Sequence, residues 1–504
     1  MALKQNIVAN YISQIYVAAI GILILPLYVK YMGAEAYGLI GFFAMLQAWF
    51  ALLDLGLTPT ISREAARYNG GAISALDFRR LFRALTTVFV VIAVLGGGLL
   101  WLVAEKIAMG WLNINQLDPN TVVLSIKIMV VCVSLRWMGG VYRGVISGSE
   151  RLVWLSIFNM VIASLRFFAV FISLYVFGFS PVVFFFHQLF VAVVEMVGLL
   201  LMATKLLPRP AEGVLILNWS FRPVLPLLKF SLSIAFTSSV WVLMTQTDKL
   251  ILSGILPLAD YGYFSLAVLV AGGIMIISGP ISTALLPRMA RLYAQEEHQQ
   301  LLSLYRMATQ SVAVLAGAAS VTIFYCAKPL LMAWTADAEL SSNAAPILSL
   351  YALGNGILAI GAFPYYLQYA RGQLKYHLIG SVGMVLVLLP AIIIAVKNFG
   401  TVGAGYVWLS VNAIYVLIWV AFVHGRLEPG LHLNWLFNDC LKIFAAPALL
   451  LAPLAWFPLD FENRLQLIGF LFVVSALALL SAILSASQIR QMVVARFKRV
   501  IIDG

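Results

Sequence analysis

The sequence is poor in charge, in cysteine and in histidine. Asp, Glu, Lys and Arg make up 10% of its 504 residues and hydrophobic residues 62%, whereas an ordinary soluble domain is about 25% charged. So few charges cannot clothe a water-facing surface of this size, which leaves lipid as the solvent. Hydrophilic stretches are also short, about 20 residues at most between apolar runs, so there is little room for an aqueous domain. The three cysteines, Cys132, Cys326 and Cys440, lie far apart with no CxxC pair, which excludes a disulfide framework and leaves structural thiols. His298, His377, His424 and His432 fall in stretches expected to be cytoplasmic loops, and His187 stands near the outer leaflet. None has a second ligand at metal spacing, so no metal site is expected. The chain has no HExxH, no paired acids on a sizeable loop and no phosphate-cradling glycine loop, which argues against an enzyme and against ATP-driven transport within this chain.

What is abundant is the apolar run. A spanning helix needs about 20 mainly apolar residues. About fourteen candidates begin near residues 8, 37, 81, 121, 152, 181, 226, 258, 303, 345, 375, 402, 440 and 465. A twelve-span reading would have to ignore "LKIFAAPALLLAPLAWF" and "LQLIGFLFVVSALALLSAIL", both apolar enough to insert. The first run carries Asn6, Asn10 and Gln14 and is long enough to span, so it reads as a helix and not as a cleavable signal peptide. The net charge of +12 does not indicate nucleic acid, because the basic residues sit at the ends of apolar runs and form no single stripe. With the N-terminus inside, the cytoplasmic segments hold about 23 of the 32 Lys and Arg, including Arg63, Arg67, Arg79, Arg80, Arg83, Arg288, Arg291 and the basic tail. That bias places both ends in the cytoplasm.

The chain also repeats itself. "MGAEAYGLIGFF" (Met32 to Phe43) aligns with "LPLADYGYFSLA" (Leu256 to Ala267) at an offset of 224, pairing Tyr37 with Tyr261 and Gly38 with Gly262. The same offset pairs Arg67 with Arg291, Tyr142 with Tyr366 and Gly148 with Gly372. Six spans per copy make both copies run the same way, the arrangement of carriers that rock one bundle against another around a site between parallel repeats. The expected organisation is a six-helix bundle over residues 1–207, a proline-rich cytoplasmic linker over 208–223, a second bundle over 224–426, and two further helices with a basic tail over 427–504. Chance similarity of loop chemistry is the alternative to a duplication.

Ionisable residues within the spans need a reason, since each costs roughly 2.5–3.5 kcal/mol at mid-helix on insertion scales. Arg166 lies roughly 22 Å along its helix from Arg151, with Glu195 and Arg136 at similar depth, giving one layer with a surplus of one positive charge. An Arg166–Glu195 pair that lets a hairpin insert is one reading; a cationic, wet cavity completed by Arg136 is the other. At the repeat offset Arg136 maps to Ile360 and Arg166 to Pro390, so the second copy lacks the cluster. In "WFALLDLGLTPTISREAARY", Asp54 lies in the inner half of the second span, with Pro59 expected to bend the helix between it and Arg63. Asp54 reads either as an ion-binding carboxylate or as a bond to a neighbouring helix. Two polar faces complete the set: Asn6, Asn10 and Gln14 on the first span, and Ser233, Thr237, Trp241 and Asp248 on the seventh. They suit a cavity lining or interhelical hydrogen bonding.

"LPLYVKYMGAEAYGLIGFF", followed by "LLDLGL" and "ISREAARY", resembles the opening of the Wzx-type polysaccharide flippases, in the multidrug/oligosaccharidyl-lipid/polysaccharide exporter (MOP) superfamily. "TDKLILSGILPLADYGYFSLA" is similar to that family's seventh and eighth spans, and the resemblance extends over about residues 1–425. It implies an all-α polytopic membrane protein with two parallel six-helix bundles, moving an undecaprenyl-diphosphate-linked oligosaccharide across the bacterial inner membrane for surface polysaccharide such as lipopolysaccharide O-antigen. On that reading Arg136, Arg166 and Arg63 are the candidates to hold the diphosphate. Asp54, Glu195 and Asp248 are the candidates for coupling to a proton or sodium gradient, with no cofactor, and polysaccharide polymerase or assembly proteins are possible partners. The rivals are a cation-coupled multidrug exporter of the same superfamily, which a surplus of arginine disfavours, and a membrane polymerase or ligase, which would be expected to carry a larger outer loop.

Overall fold

A computed structural model describes residues 2–208, 222–456, 461 and 463–491; the side chains of 2–4, 7, 228–230, 233–234, 237, 277–280, 282–284 and 287 fall outside that description. Most of the expected linker and the end of the basic tail therefore lie outside the described residues. Among those described the chain is helical, with one isolated bridge between Asn113 and Pro257 and no strand. It divides into two compact units, Met1–Gly262 and Tyr263–Gly504.

Unit 1 holds α1 (Ala2–Leu23), α2 (Leu25–Met32), α3 (Ala34–Phe50), α4 (Leu57–Asn69), α5 (Ala75–Leu102), α6 (Ala104–Gly110), α7 (Pro119–Gly148), α8 (Leu152–Ser164), α9 (Val170–Phe177), α10 (Pro181–Leu206) and α11 (Leu225–Ile255). α12 (Leu258–Ala294) begins in unit 1 and continues into unit 2. Unit 2 adds α13 (His298–Thr335), α14 (Ala338–Gly361), α15 (Phe363–Ala370), α16 (Lys375–Ile414), α17 (Val420–Leu427), α18 (Leu431–Asn434), α19 (Lys442–Leu451) and α20 (Arg464–Ser485).

The outward faces of these helices are apolar. Leu95 and Leu102 on α5 are 67% and 79% exposed, and Leu465 and Phe472 on α20 are 80% and 76% exposed. Apolar side chains ranked along whole helices in this way need lipid around them. The protein is a multi-pass membrane protein. Twelve helices among the described residues are long and apolar enough to cross a bilayer, against the fourteen the sequence suggests. One of the twelve, Lys375–Leu427, runs 53 residues and contains Gly400 at φ +60°, where the sequence reads two spans. α11, with 31 residues, is not among the twelve, and several of its side chains lie outside the description. Leu431–Ala455 and Arg464–Ser485 both qualify.

Local sequence explains where helices start. Asp118 and Ser180 each accept a backbone N–H from the first turn of α7 and α10, and each is followed by proline. Proline suits that position because its missing N–H has no intrahelical partner there. Ser74 and Asn463 cap α5 and α20 in the same way.

The repeated motif also acquires a physical meaning. Gly38 on α3 and Gly262 on α12, the two glycines matched by the offset, pack against each other's helix. A Cβ on Gly38 would lie 2.1 Å from the Leu258 carbonyl oxygen, and one on Gly262 would lie 2.5 Å from that of Ala34. Neighbouring Glu35 is buried and its carboxylate accepts the backbone N–H groups of Asn115, Gln116 and Leu117 at 2.6–3.1 Å. "MGAEAYG" thus encodes a close helix crossing and the anchor of the α6–α7 connection.

Candidate functional site

α7 and α10 lie alongside each other and run in register. Arg136 and Arg143 are seven residues apart on α7, and Gln188 and Glu195 are seven apart on α10, so each pair stacks on one helix face two turns apart. Arg136 reaches Gln188 and Arg143 reaches Glu195, both across a sequence separation of 52. This constant separation is the mark of parallel packing.

Around Glu195 the carboxylate is divided between two cations. Arg143 Nη2 donates to Oε1 and Arg166 Nη2 donates to Oε2. Arg143 is also fixed by its Nη1, which donates to Asn159 Oδ1 at 2.7 Å. The Glu195 side chain is 6% exposed, whereas Arg143 and Arg166 are 29% and 25% exposed. Arg136 is held by neutral groups: Nη1 donates to Gln47 Oε1 and Nη2 to Gln188 Oε1, both at 2.8 Å, with the guanidinium 5.1 Å from the Phe43 ring centre. The buried Nε groups of Arg136 and Arg166 have no hydrogen-bond acceptor. Three guanidiniums against one carboxylate leave two positive charges. The sequence reading gives a surplus of one, because Arg143, near the C-terminal end of α7, falls outside the layer of Arg136, Arg166 and Glu195.

Arg166 stands in a π-helical turn, Leu165–Ala169, between α8 and α9. A π turn widens the backbone and leaves carbonyls without their usual partners. Three side chains take them up: His187 Nε2 reaches Leu165 O at 2.9 Å, Gln188 Nε2 donates to Arg166 O at 3.0 Å, and Tyr28 Oη donates to Phe167 O at 3.2 Å. Since His187 Nε2 donates, its Nδ1 accepts from Ser173 Oγ at 2.8 Å. Gln188 therefore grips Arg136 with its oxygen and the backbone of Arg166 with its nitrogen. Sequence reasoning missed Arg143, Gln47, Gln188 and Asn159; the matched seven-residue spacings on α7 and α10 were the available signal.

The remaining expected residues are placed separately. Arg63 lies on α4 with an exposed side chain. Asp54 ends a 3-10 turn, and its carboxylate accepts Thr58 N–H at 3.2 Å and Thr58 Oγ1–H at 2.6 Å. The chain breaks there at Leu55 and Gly56, both with positive φ. Pro59 sits in the first turn of α4, so it does not cause the bend expected of it. Asp248 is buried, with Lys249 Nζ 3.5 Å away. Trp241 is 49% exposed on the same helix, α11; the side chains of Ser233 and Thr237 lie outside the described residues. Asn6 donates to Glu150 O at 3.4 Å, while Asn10 and Gln14 are exposed. Ser13 and Tyr16 join α1 to α8 instead, through Ser156 O at 3.0 Å and Ser164 Oγ at 2.7 Å.

Unit 2 has buried charges of another kind. Arg306 on α13 binds Asp439 with two nitrogens at 2.6 and 3.1 Å, and Gln310 donates to the same carboxylate at 2.7 Å. Gln310 Oε1 also accepts the Gln488 N–H at 2.9 Å, tying the segment after α20 to α13. Glu428 is paired with Arg371 and lies 3.1 Å from His298 Nε2. His424, expected in a loop, is a fully buried residue of α17 bonded to Tyr305 Oη at 2.8 Å. Ile360 and Pro390, the offset partners of the unit 1 arginines, bear no charge. Among the described residues no three His, Cys, Asp or Glu are placed to hold a metal ion.

A sequence model of the family described as "Polysaccharide biosynthesis protein" matches residues 3–293, more than half of the chain. No curated protein matches in sequence. Among solved structures, the lipid II flippase MurJ in an inward closed conformation superposes with a TM-score of 0.71 at 13% identity, covering 96% of this chain and 99% of that one. An inward-facing multidrug resistance MATE family transporter of the MOP superfamily gives 0.63 at 15%, covering 82% and 94%. A MOP superfamily transporter from Pyrococcus furiosus, described as having a binding pocket of reverse polarity, gives 0.54 at 15%, covering 84% and 95%. The fold is of the MurJ and MATE type.

Proposed function

The chain belongs to the polysaccharide biosynthesis protein family, and from that premise we propose that it carries an undecaprenyl-diphosphate-linked oligosaccharide across the bacterial inner membrane. The observation that carries this reading is the cluster in unit 1. Arg136, Arg143 and Arg166 exceed their one carboxylate by two charges, and such a surplus inside a membrane suits a polyanionic headgroup. Arg63 is a further cation for the same headgroup on the cytoplasmic side, where we place both termini. The halves over residues 1–207 and 224–426 act as the two rocking bundles, and 427–504 supply the further helices. A proton or sodium gradient drives the cycle, with Asp54 and Asp248 as the acids to test, and polymerase or assembly proteins take up the product.

The test is leaflet exposure of a lipid-linked oligosaccharide in proteoliposomes containing the purified protein. Wild type is expected to transfer it, and Arg166→Ala or Arg143→Ala to cut the rate by about tenfold or more in folded protein. Transfer unchanged in both variants would remove the cluster from the site. The likeness of fold to MATE transporters supports a second reading, a multidrug exporter. Organic cations would be repelled by the surplus arginines, so resistance to cationic drugs on overexpression, without oligosaccharide transfer, would favour that reading.

A further inference from the structure

We infer that Glu195 is a positioning residue: it holds Arg143 and Arg166 side by side so that their outer N–H edges form one two-pronged anion site, and it stays ionised when that site fills. The inference rests on reading the cluster as the place where the substrate phosphates bind. Two guanidiniums repel each other, and each Glu195 oxygen engages a different one. The carboxylate is the buried member and the arginines are the part-exposed ones, so an incoming anion meets guanidinium before it meets glutamate. Each arginine gives Glu195 one terminal nitrogen and keeps other donors unused by it. A phosphate can therefore be taken while both Glu195 bonds are kept.

The charge count points the same way. The groups that face Glu195 are Arg143 and Arg136 from α7 and Arg166 from the π turn. On the same helices Cys132 is buried on α7, and His187 on α10 is engaged with the π turn and Ser173. With Glu195 ionised, the three guanidiniums leave two positive charges. A diphosphate joined at both ends, to a lipid and to a sugar, carries two negative charges at neutral pH, and a monophosphate joined at both ends carries one. The site is thus neutral when it holds a diphosphate diester and remains charged when it holds a monophosphate diester. It reads the linkage by charge, with no proton taken up. An exchange of substrate against an ion gradient then has to use another acid.

The test is calorimetric, on the full chain in lipid nanodiscs, with farnesyl methyl diphosphate and farnesyl methyl phosphate as probes. Titration in buffers of different ionisation enthalpy counts protons. Wild type is expected to bind the diphosphate about tenfold or more tightly than the monophosphate, with no net proton exchange. Glu195→Gln, which keeps the shape and loses the charge, leaves the two guanidiniums to separate and is expected to bind the diphosphate about tenfold more weakly, and Glu195→Asp to restore part of that affinity. Uptake of about one proton per diphosphate bound by wild type would overturn the inference, and so would tighter binding by Glu195→Gln. Either result would make Glu195 a resident anion that substrate displaces. If Glu195→Gln fails to fold, the proton count of wild type alone decides. If wild type binds neither probe, or Arg143→Ala and Arg166→Ala bind both as wild type does, the anion site itself fails and the inference fails with it.

Discussion

Both units set arginine against a buried carboxylate, but the two arrangements differ in how they close. In unit 2, Asp439 has both oxygens engaged by Arg306 and a third bond from Gln310, and Glu428 has Arg371 on one oxygen and His298 beside the other. Each acid has its own arginine. The Asp439 bonds join α13 to the π-helical stretch Trp435–Leu441, and Glu428 joins the end of α17 to Arg371 and to His298 of α13, so they act as braces. In unit 1 one acid serves two arginines, and a third is held only by amides. Buried ion pairs contribute little net stability even when complete, because desolvation offsets the attraction. A complete pair is therefore adequately explained as a brace, whereas an excess of cations is not.

That comparison is broken or sharpened first at Asp439. Its removal in Asp439→Ala leaves the part-exposed Arg306 without its counter-charge and the buried Gln310 without its acceptor. The expected loss is about 3 kcal/mol of stability, the lower end for breaking a buried pair because Arg306 keeps part of its solvation, read as an earlier thermal transition of the detergent-solubilised protein. Transport per folded molecule should be unchanged. Replacing Arg306 and Asp439 together by Met and Leu should recover most of the loss. If Asp439→Ala abolished transport in protein as stable as wild type, the brace would have to be reclassified as part of the site.

Gln188→Leu comes next. This change keeps the volume but removes the oxygen that holds Arg136 and the nitrogen that satisfies the π-turn carbonyl. Two polar groups are orphaned, at a cost of about 1–3 kcal/mol each when fully buried. Unlike Asp439→Ala, it should lower transport more than stability, because it loosens the orientation of two arginines at once. Equal loss in both measurements would mean that unit 1 is braced as unit 2 is.

How far these differences were legible in the sequence follows from the range of the forces involved. Apolar runs and the Gly38–Gly262 repeat act locally or recur at a fixed offset, so they could be read directly. The depth of Arg136, Arg166 and Glu195 followed from counting helix rise. Arg143 was not recognised because depth alone cannot show which way a side chain near a helix end turns; its partner Glu195 lies 52 residues away. The π turn has no residue signature of its own, since "LRFFA" would also suit an ordinary helix. The brace at Asp439 joins residues 133 apart and became visible only once the helices were packed. At Asp54 the reading chose the wrong breaker: proline is tolerated in a first helical turn, whereas Gly56 in a left-handed conformation ends one helix and starts another.

Asp54 gives the smallest expected effect and the clearest separation of structure from coupling. Its oxygens accept the backbone N–H and the hydroxyl of Thr58 at the start of α4, which is what a helix-capping side chain does. Asn and Asp cap about equally well, so Asp54→Asn should change stability by less than about 0.5 kcal/mol. Thermal unfolding measures that directly. If capping is its whole role, transport driven by an imposed proton or sodium gradient should also persist at nearly the wild-type rate. If Asp54 carries the coupling ion, the variant will still exchange lipid between leaflets in the absence of a gradient, but the gradient will no longer accelerate it. That second pattern would put the coupling group at the break between α3 and α4, where two left-handed residues already interrupt the helix, and would separate it from the arginine cluster that holds the anion.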